Sequence, residues 1–408
     1  MNGGLAPFFG VVGNTLAAFY VLLIFAAPII LGVLCFQGYL AWKRNKFIHD
    51  QKKVVLEIRL PQEVMKSPLA MELFLTSLYQ TKGEGTWIKR YVYGQLRPYF
   101  SLELTSIGGE IKFFIWTWQF WQHHIESQLY AQYPDIEIKE APDYAQAIHL
   151  NLEKYEMWGC NFKLQKPDCY PIKSYVDYQL DKDPKEELKI DPMTPVFEYL
   201  GGLKPGEQAW IQIIIRAHKK ERPKPGSWFK KVDWSEEAKA EIEKIKTKDT
   251  QQVESIKLTG LSLTKGEKDM IEAIERNVAK IPFDCGIRAI YIAEKDKWND
   301  INISGLNGSF RQYNSFQLNG FQTDKHHITE YNYPWQNITG KRLMRKKHHI
   351  FEEYQHRAYF HAPFRGYWFV LNTESLATIY HFPGQVAKSP ALQRVPAKKS
   401  EPPANLPI

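Results

Sequence analysis

A chain of 408 residues with 44% hydrophobic and 14% aromatic content supplies real cores and has room for two or three folded units, which excludes a disordered protein. A formal charge of +8 and a pI near 9.0 favour acidic partners, among them anionic lipid, nucleic acid or an acidic protein face. Four cysteines without C-x-x-C spacing (Cys35, Cys160, Cys169, Cys285) argue against a disulfide framework and fit a reducing compartment.

Residues 16–36 contain no charge, a length sufficient to cross the hydrocarbon core of a bilayer. Tyr39 and Trp42 follow where an interfacial aromatic belt would sit, and then Lys43, Arg44, Lys46, Lys52 and Lys53. Residues 1–15 carry no Lys or Arg. The positive-inside rule therefore predicts a single-pass membrane protein with residues 1–15 outside, a transmembrane helix over 16–42 and the main body in the cytoplasm. A cleaved signal peptide would have a basic leading region and a shorter apolar stretch, and both are missing.

The alternation in 54–60 predicts a strand and the helical spacing of Leu69, Leu73, Phe74 and Leu78 a helix over 68–80. Two strands, 99–105 and 111–116, flank Gly108 and Gly109 as a hairpin. A helix over 120–133 stops at Pro134, and 136–140 is another strand. This β-α-β-β-α-β order predicts a ferredoxin-like domain over 54–150. The Pro-rich stretch 151–206 reads as an extended crossover. Beyond it come a strand at 208–217, a charged and solvent-exposed helix at 234–248, and an amphipathic helix at 265–280. A strand at 285–294, a short helix at 303–313, a strand at 366–371 and a helix capped by Thr373 complete a second α+β domain over 207–388. The predicted fold class is α+β: one transmembrane helix, two ferredoxin-like domains and a Pro-rich tail over 389–408.

No P-loop, G-x-S-x-G, H-E-x-x-H or G-x-G-x-x-G occurs, so no catalytic residue and no cofactor are predicted. His349, Glu353 and His356 have metal-ligand spacing on a helix, but no matching second set exists, and a solvated helix face is the simpler reading. Lys341, Arg342, Arg345, Lys346 and Lys347 form the densest basic run away from the apolar segment, a candidate contact for nucleic acid or an acidic partner. The aromatics Trp116, Trp118, Phe120 and Trp121 read as core.

Several segments resemble an uncharacterised bacterial family of membrane-anchored α+β proteins. They are LEIRLP with SPLAMELFL (56–75), IESQLYAQYPDIEI (125–138), YPIKSYVDY (170–178), DPMTPVFEYLGGLKPGEQAWIQIII (191–215), and LNTESLATIYHFPG with EPPANLPI (371–384, 401–408). Proteins of that family stand alone or precede, in one polypeptide, an ATPase of the conjugation and type IV secretion class. The segments at 371–383 and 401–407 resemble the joint before that motor. The resemblance implies a non-catalytic membrane-anchored scaffold that docks such an ATPase. The residues themselves leave open a membrane-tethered nucleic-acid binder and, behind it, a metal-dependent enzyme.

Overall fold

The computed structural model describes residues 5–61, 66–181, 190–220, 222–223, 231–253, 264–384 and 394–395. They fall into two compact units. The first comprises Met1–Gln51, Gly83–Leu96 and His361–Pro363. It contains helix α1 (Leu5–Asp50), one continuous helix that includes Pro28. At 1.5 Å per residue its 46 residues extend for about 70 Å, more than twice the hydrocarbon thickness of a bilayer. Over Leu23–Asp50 it is long and apolar enough to cross a membrane, and the side chains of the apolar stretch, such as Phe25, Ile29 and Leu31, are exposed.

The second unit is built on one large sheet. Its first half runs β1 (Lys53–Pro61), α2 (Pro68–Ser77), β2 (Tyr99–Ile107), β3 (Glu110–Trp118), α3 (Gln122–Gln132) and β4 (Glu137–Ala141). The strands lie in the order β4-β1-β3-β2, all antiparallel, the ferredoxin-like arrangement. Helix α4 (Tyr144–Ala147) follows. The same order then recurs: β5 (Tyr155–Leu164), α5 (Thr194–Gly201) and β6 (Glu207–Ala217), a two-strand ribbon β7 (Arg222–Pro223) and β8 (Lys231–Val232), helices α6 (Trp234–Val253) and α7 (Lys265–Ala279), and β9 (Pro282–Glu294). Helix α8 (Ile301–Gly308) and β10 (Phe321–Ile328) complete the set. Here the strands lie β10-β5-β9-β6, again all antiparallel. The helical pair α6–α7 fills the place of the hairpin in the first set. The two halves join edge to edge through antiparallel β2 and β6, so neither exposes its second strand. Helix α9 (Lys341–Gln355), β11 (Phe369–Asn372) beside β9, α10 (Thr373–Ile379), and β12 (Arg394–Val395) in parallel with the end of β1 complete the described elements.

One sheet face carries the main apolar core. Leu56, Ile58, Leu102, Cys160, Ile213 and Ile287 share it with Phe74 of α2, Leu129 of α3, Phe197 of α5, Leu306 of α8 and Leu376 of α10. The opposite face holds Trp210 and Phe351 of α9, together with the polar row described below.

Several expectations change. The stretch 151–206 is no plain crossover: it supplies β5 and α5, the first strand and helix of the second half. Their signal is diluted by the prolines and turns that connect them. Helix α2 buries Ala70, Met71, Phe74 and Leu75, while Leu69 and Leu73 face outward. Helix α6 is not fully solvated, because Ala238 and Ile242 pack with Ile274 of α7 around Cys169. Asn372, rather than Thr373, caps α10, its side chain accepting from Ser375 N at 2.7 Å. Strand β10 carries Asp324, Lys325, His326 and His327 and had no strand signature. The tail 389–408 lies outside the described residues apart from β12.

The β2–β3 turn holds Gly108 and Gly109 at φ +61° and +92°. A Cβ on Gly109 would come within 2.6 Å of the Leu203 carbonyl oxygen. Gly109→Ala should therefore destabilise the protein by about 1–3 kcal/mol in denaturant unfolding, whereas Gly85→Ala, in open space, should change stability by less than about 0.5 kcal/mol.

Candidate functional site

Residues Asn161, Arg288, Gln212 and Glu103 stand directly opposite one another on β5, β9, β6 and β2. All four are buried, so each charge and amide requires a partner within the fold. Arg288 Nε donates to Asn161 Oδ1 at 3.0 Å and its Nη1 to Gln212 Oε1 at 2.9 Å. Gln212 Nε2 donates to Glu103 Oε1 at 3.2 Å. The row thus crosses the junction between the halves. Two groups reach down onto it from the layer above. Glu353 of α9 accepts from Arg288 Nη2 at 2.8 Å. Arg357, just past the end of α9, grips Glu103 with two bonds at 2.9 and 3.1 Å and Asp143, before α4, with two more at 2.5 and 2.9 Å.

Arg357 holds φ +50°, a left-handed conformation that glycine or asparagine normally takes at a helix end. Its bidentate contacts on both sides hold that backbone in place. Glu103 also accepts from Ser101 Oγ at 2.6 Å and Tyr144 Oη at 2.8 Å, and Tyr144 shares a bond of 2.6 Å with Tyr354 Oη. Burial alone would raise the Glu103 pKa. The Arg357 charge and the converging donors outweigh it and hold the carboxyl below the ordinary range.

Beside this clamp lies a pocket of about 320 Å³ lined by Lys53, Trp116, Glu140, Asp143, Gln355 and His356, among others. Burial lowers the Lys53 pKa, with repulsion from Arg357 adding to it. The His356 imidazole is likewise lowered, by burial first and then by Lys53. The pocket therefore presents the Lys53 amine, the His356 imidazole and the Glu140 side chain, while Asp143 is held by Arg357.

A second buried cluster surrounds α10. Lys280 Nζ lies 2.8 Å from both Glu72 Oε1 and Glu374 Oε2. Tyr175 Oη donates to Glu72 Oε2 at 2.6 Å, Ser174 Oγ to Glu374, and Tyr175 N to Thr378 Oγ1 at 2.9 Å. His381 Nε2 sits 3.2 Å from Asp191 Oδ1 while its Nδ1 meets the Ala377 carbonyl at 2.8 Å. Residues separated by as many as 309 positions, from Glu72 to His381, are gathered around one short helix.

The residues singled out from sequence divide between these surroundings. Lys43, Arg44 and Lys46 lie on α1, where Lys43 stands over the Tyr39 and Trp42 rings at 5.8 and 5.4 Å. Lys52 immediately precedes β1, and Lys53 opens that strand and lines the pocket. On α9, Lys341, Arg342 and Arg345 are exposed. Lys346 is half-buried over the Tyr331 ring at 5.0 Å, and Lys347 pairs with Glu156. Burial lowers both ammonium groups. The run of five is thus a solvent-facing trio and a packed pair. Of the metal-spaced set, Glu353 is committed to Arg288, with His349 Nε2 at 3.3 Å from its other oxygen. Among the described residues, no three His, Cys, Asp or Glu converge as a metal site. All four cysteines are free, and burial pushes the Cys169 thiol up to about 12. Sequence reasoning missed Glu103, Asp143, Arg288 and Arg357. The one available signal was charge at strand positions flanked by apolar residues, as in SLELT and GIRAI.

A membrane-length helix joined to a double ferredoxin-like body defines a class of α+β protein with a candidate membrane anchor. The chain belongs to the family described as a domain of unknown function (DUF8128), which it matches over residues 44–388. No curated protein matches it.

Arg357→Met leaves the Glu103 carboxylate buried and uncompensated, and should cost about 3–5 kcal/mol in denaturant unfolding; adding Glu103→Gln should restore part of that loss. Because the folded pKa of Glu103 is depressed, its stabilisation is complete above the ordinary carboxylate range and is lost as pH falls through the folded value. Melting temperature followed from neutral to acidic pH should therefore fall less steeply in Glu103→Gln than in the parent.

Proposed function

We propose that the protein is a non-catalytic scaffold anchored by α1, its body on the cytoplasmic side, which docks an ATPase of the conjugation or type IV secretion class. The observation that carries this reading is the gathering around α10. Segments 68–75, 170–178, 191–200 and 371–384, all quoted for the family resemblance, contribute Glu72, Ser174, Tyr175, Asp191, Glu374 and His381 to one buried cluster. Segment 371–383 resembles the joint before a motor, and here residues 371–382 are buried in the helical layer. A buried joint would hold a motor in a set position relative to the body, which a mobile linker would not. The basic residues Lys43, Arg44, Lys46, Lys52 and Lys53 after the apolar run support the orientation.

A pull-down in mild detergent from the native host, followed by mass spectrometry, should recover a conjugation-type ATPase or its pore proteins. Purified protein that hydrolyses ATP itself, or bait that never brings down a motor, would overturn the reading.

One observation favours a second reading, a nucleic-acid contact. Tyr333 and Trp335 stack at 4.6 Å and 11°, both more than half exposed, in the loop that leads into α9. Arg342 Nη1 donates to Gln336 O in that loop at 3.2 Å, which brings one exposed cation to the loop that carries the rings. Exposed rings beside cations are the elements of a single-strand binding surface. On this reading, retention of single-stranded DNA falls steeply with salt and drops further when Lys341, Arg342, Arg345 and Trp335 are replaced together by neutral, non-aromatic residues. Retention unchanged by those substitutions removes it.

A further inference from the structure

The loop Gly83–Leu96, inserted between α2 and β2, clusters with α1 rather than with the second unit, to which the residues on either side of it belong. Its middle forms a single π-helical turn, Ile88–Val92, closed by Tyr93 N donating to Ile88 O at 3.1 Å. Tyr91 meets Phe36 of α1 with ring centroids 5.9 Å apart. Gly94, at φ +65°, lies so close to the α1 backbone that a Cβ would stand 2.8 Å from the Lys43 carbonyl carbon. The two contacts are seven residues apart, about 10 Å along α1, and they bracket Tyr39 and Trp42, where the apolar run gives way to Lys43, Arg44 and Lys46.

The outward side of this loop is unusual for a water-facing turn. Trp87 is 68% exposed, Tyr93 62%, Ile88 44% and Val92 41%. Four large apolar or aromatic side chains within seven residues would form an unfavourable solvated patch. Interleaved with them is Lys89, exposed, while the Arg90 guanidinium stands 5.7 Å from the Tyr91 ring centre. Amphipathic rings, short aliphatics and cations in one turn, fixed to a membrane-length helix at its polar boundary, are the composition of an interfacial membrane contact.

We infer that Gly83–Leu96 is a second membrane element, a collar on α1 that inserts Trp87, Ile88, Val92 and Tyr93 at headgroup depth and sets Lys89 against anionic phosphates. This rests on the anchoring reading of α1. It adds a function to the loop: a single helix can tilt and rotate in a bilayer, whereas a helix with an attached lateral foot is held in depth and rotation.

The test is nitroxide scanning of the full-length protein reconstituted in bilayers of phosphatidylcholine and phosphatidylglycerol, with Cys35 replaced by Ser. Single labels are introduced through Trp87→Cys, Val92→Cys, Leu31→Cys and Phe316→Cys, each checked for native near-ultraviolet circular dichroism. The readout is collision with oxygen, which concentrates in lipid, relative to collision with a water-soluble nickel chelate. Leu31 reports the hydrocarbon core, and Phe316, fully exposed on the body, reports water. Labels at 87 and 92 should show an oxygen-to-nickel ratio several-fold above that at 316 and below that at 31. Should Trp87→Cys fail the folding check, Val92→Cys carries the same readout. Labels at 87 and 92 that match 316 while 31 stays lipid-exposed would overturn the collar and leave the anchor standing. Labels shielded from both reagents would also overturn it, as they would point to a protein contact. A water-like signal at 31 would overturn the anchor and the collar together.

Discussion

The carboxylate of Glu103 is the constraint on which the body depends. It sits in the middle of β2, on the junction between two four-stranded halves, and it is fully buried. A charge in that position is tolerable only because the donors of Arg357, Ser101, Tyr144 and Gln212 converge on its two oxygens. Those donors come from the same strand, the neighbouring half, α4 and the end of α9. A paired charge of this kind contributes less to net stability than an apolar core of equal volume would. A shifted Arg357 would strand Glu103, Asp143 and its own guanidinium, which disfavours other registers of the α9 terminus.

Joining the halves through β2 and β6 has a geometric consequence. Each half is a complete ferredoxin-like sheet, and pairing their second strands removes two edges at once. The helices α2, α3, α5 and α8 then fall on a common face and share a single apolar core. The other face is left for α9 and the polar row. Tyr359 lies directly over Gly286, where a Cβ would be 2.3 Å from its ring, so even the approach of that cover to β9 is set by an absent side chain.

The α10 cluster and the clamp serve the same end by different means. Around α10, Glu72, Lys280 and Glu374 form a carboxylate–ammonium–carboxylate arrangement capped by hydroxyls, which ties the segment 371–381 into the helical layer. These charged groups are paired with one another. Among the described residues, the groups that face outward include the pocket beside Asp143, the basic trio of α9 and the aromatic loop.

Much was determined by sequence alone, where the cause is local. The uncharged run of α1, the alternation of β1, the Gly108–Gly109 turn between β2 and β3, and the apolar run of β6 each follow from side-chain pattern or backbone freedom within a few residues. They were enough for an N-terminal membrane-length helix, a first ferredoxin-like unit, and β6, α6, α7, β9, β11 and α10 of the second. Tertiary structure decided how the second unit is completed. Strand β5 and helix α5 are separated by a long irregular stretch, so their membership in a second unit emerges only when β5 pairs with β9. Strand β10 is too polar to declare itself, and it forms because β5 offers it an edge. Glu103, Asp143, Arg288 and Arg357 carry no common motif, because partners spread over 254 positions are chosen by burial and register rather than by spacing. Local periodicity could specify the elements, but which charges would be buried together depended on how the two halves met.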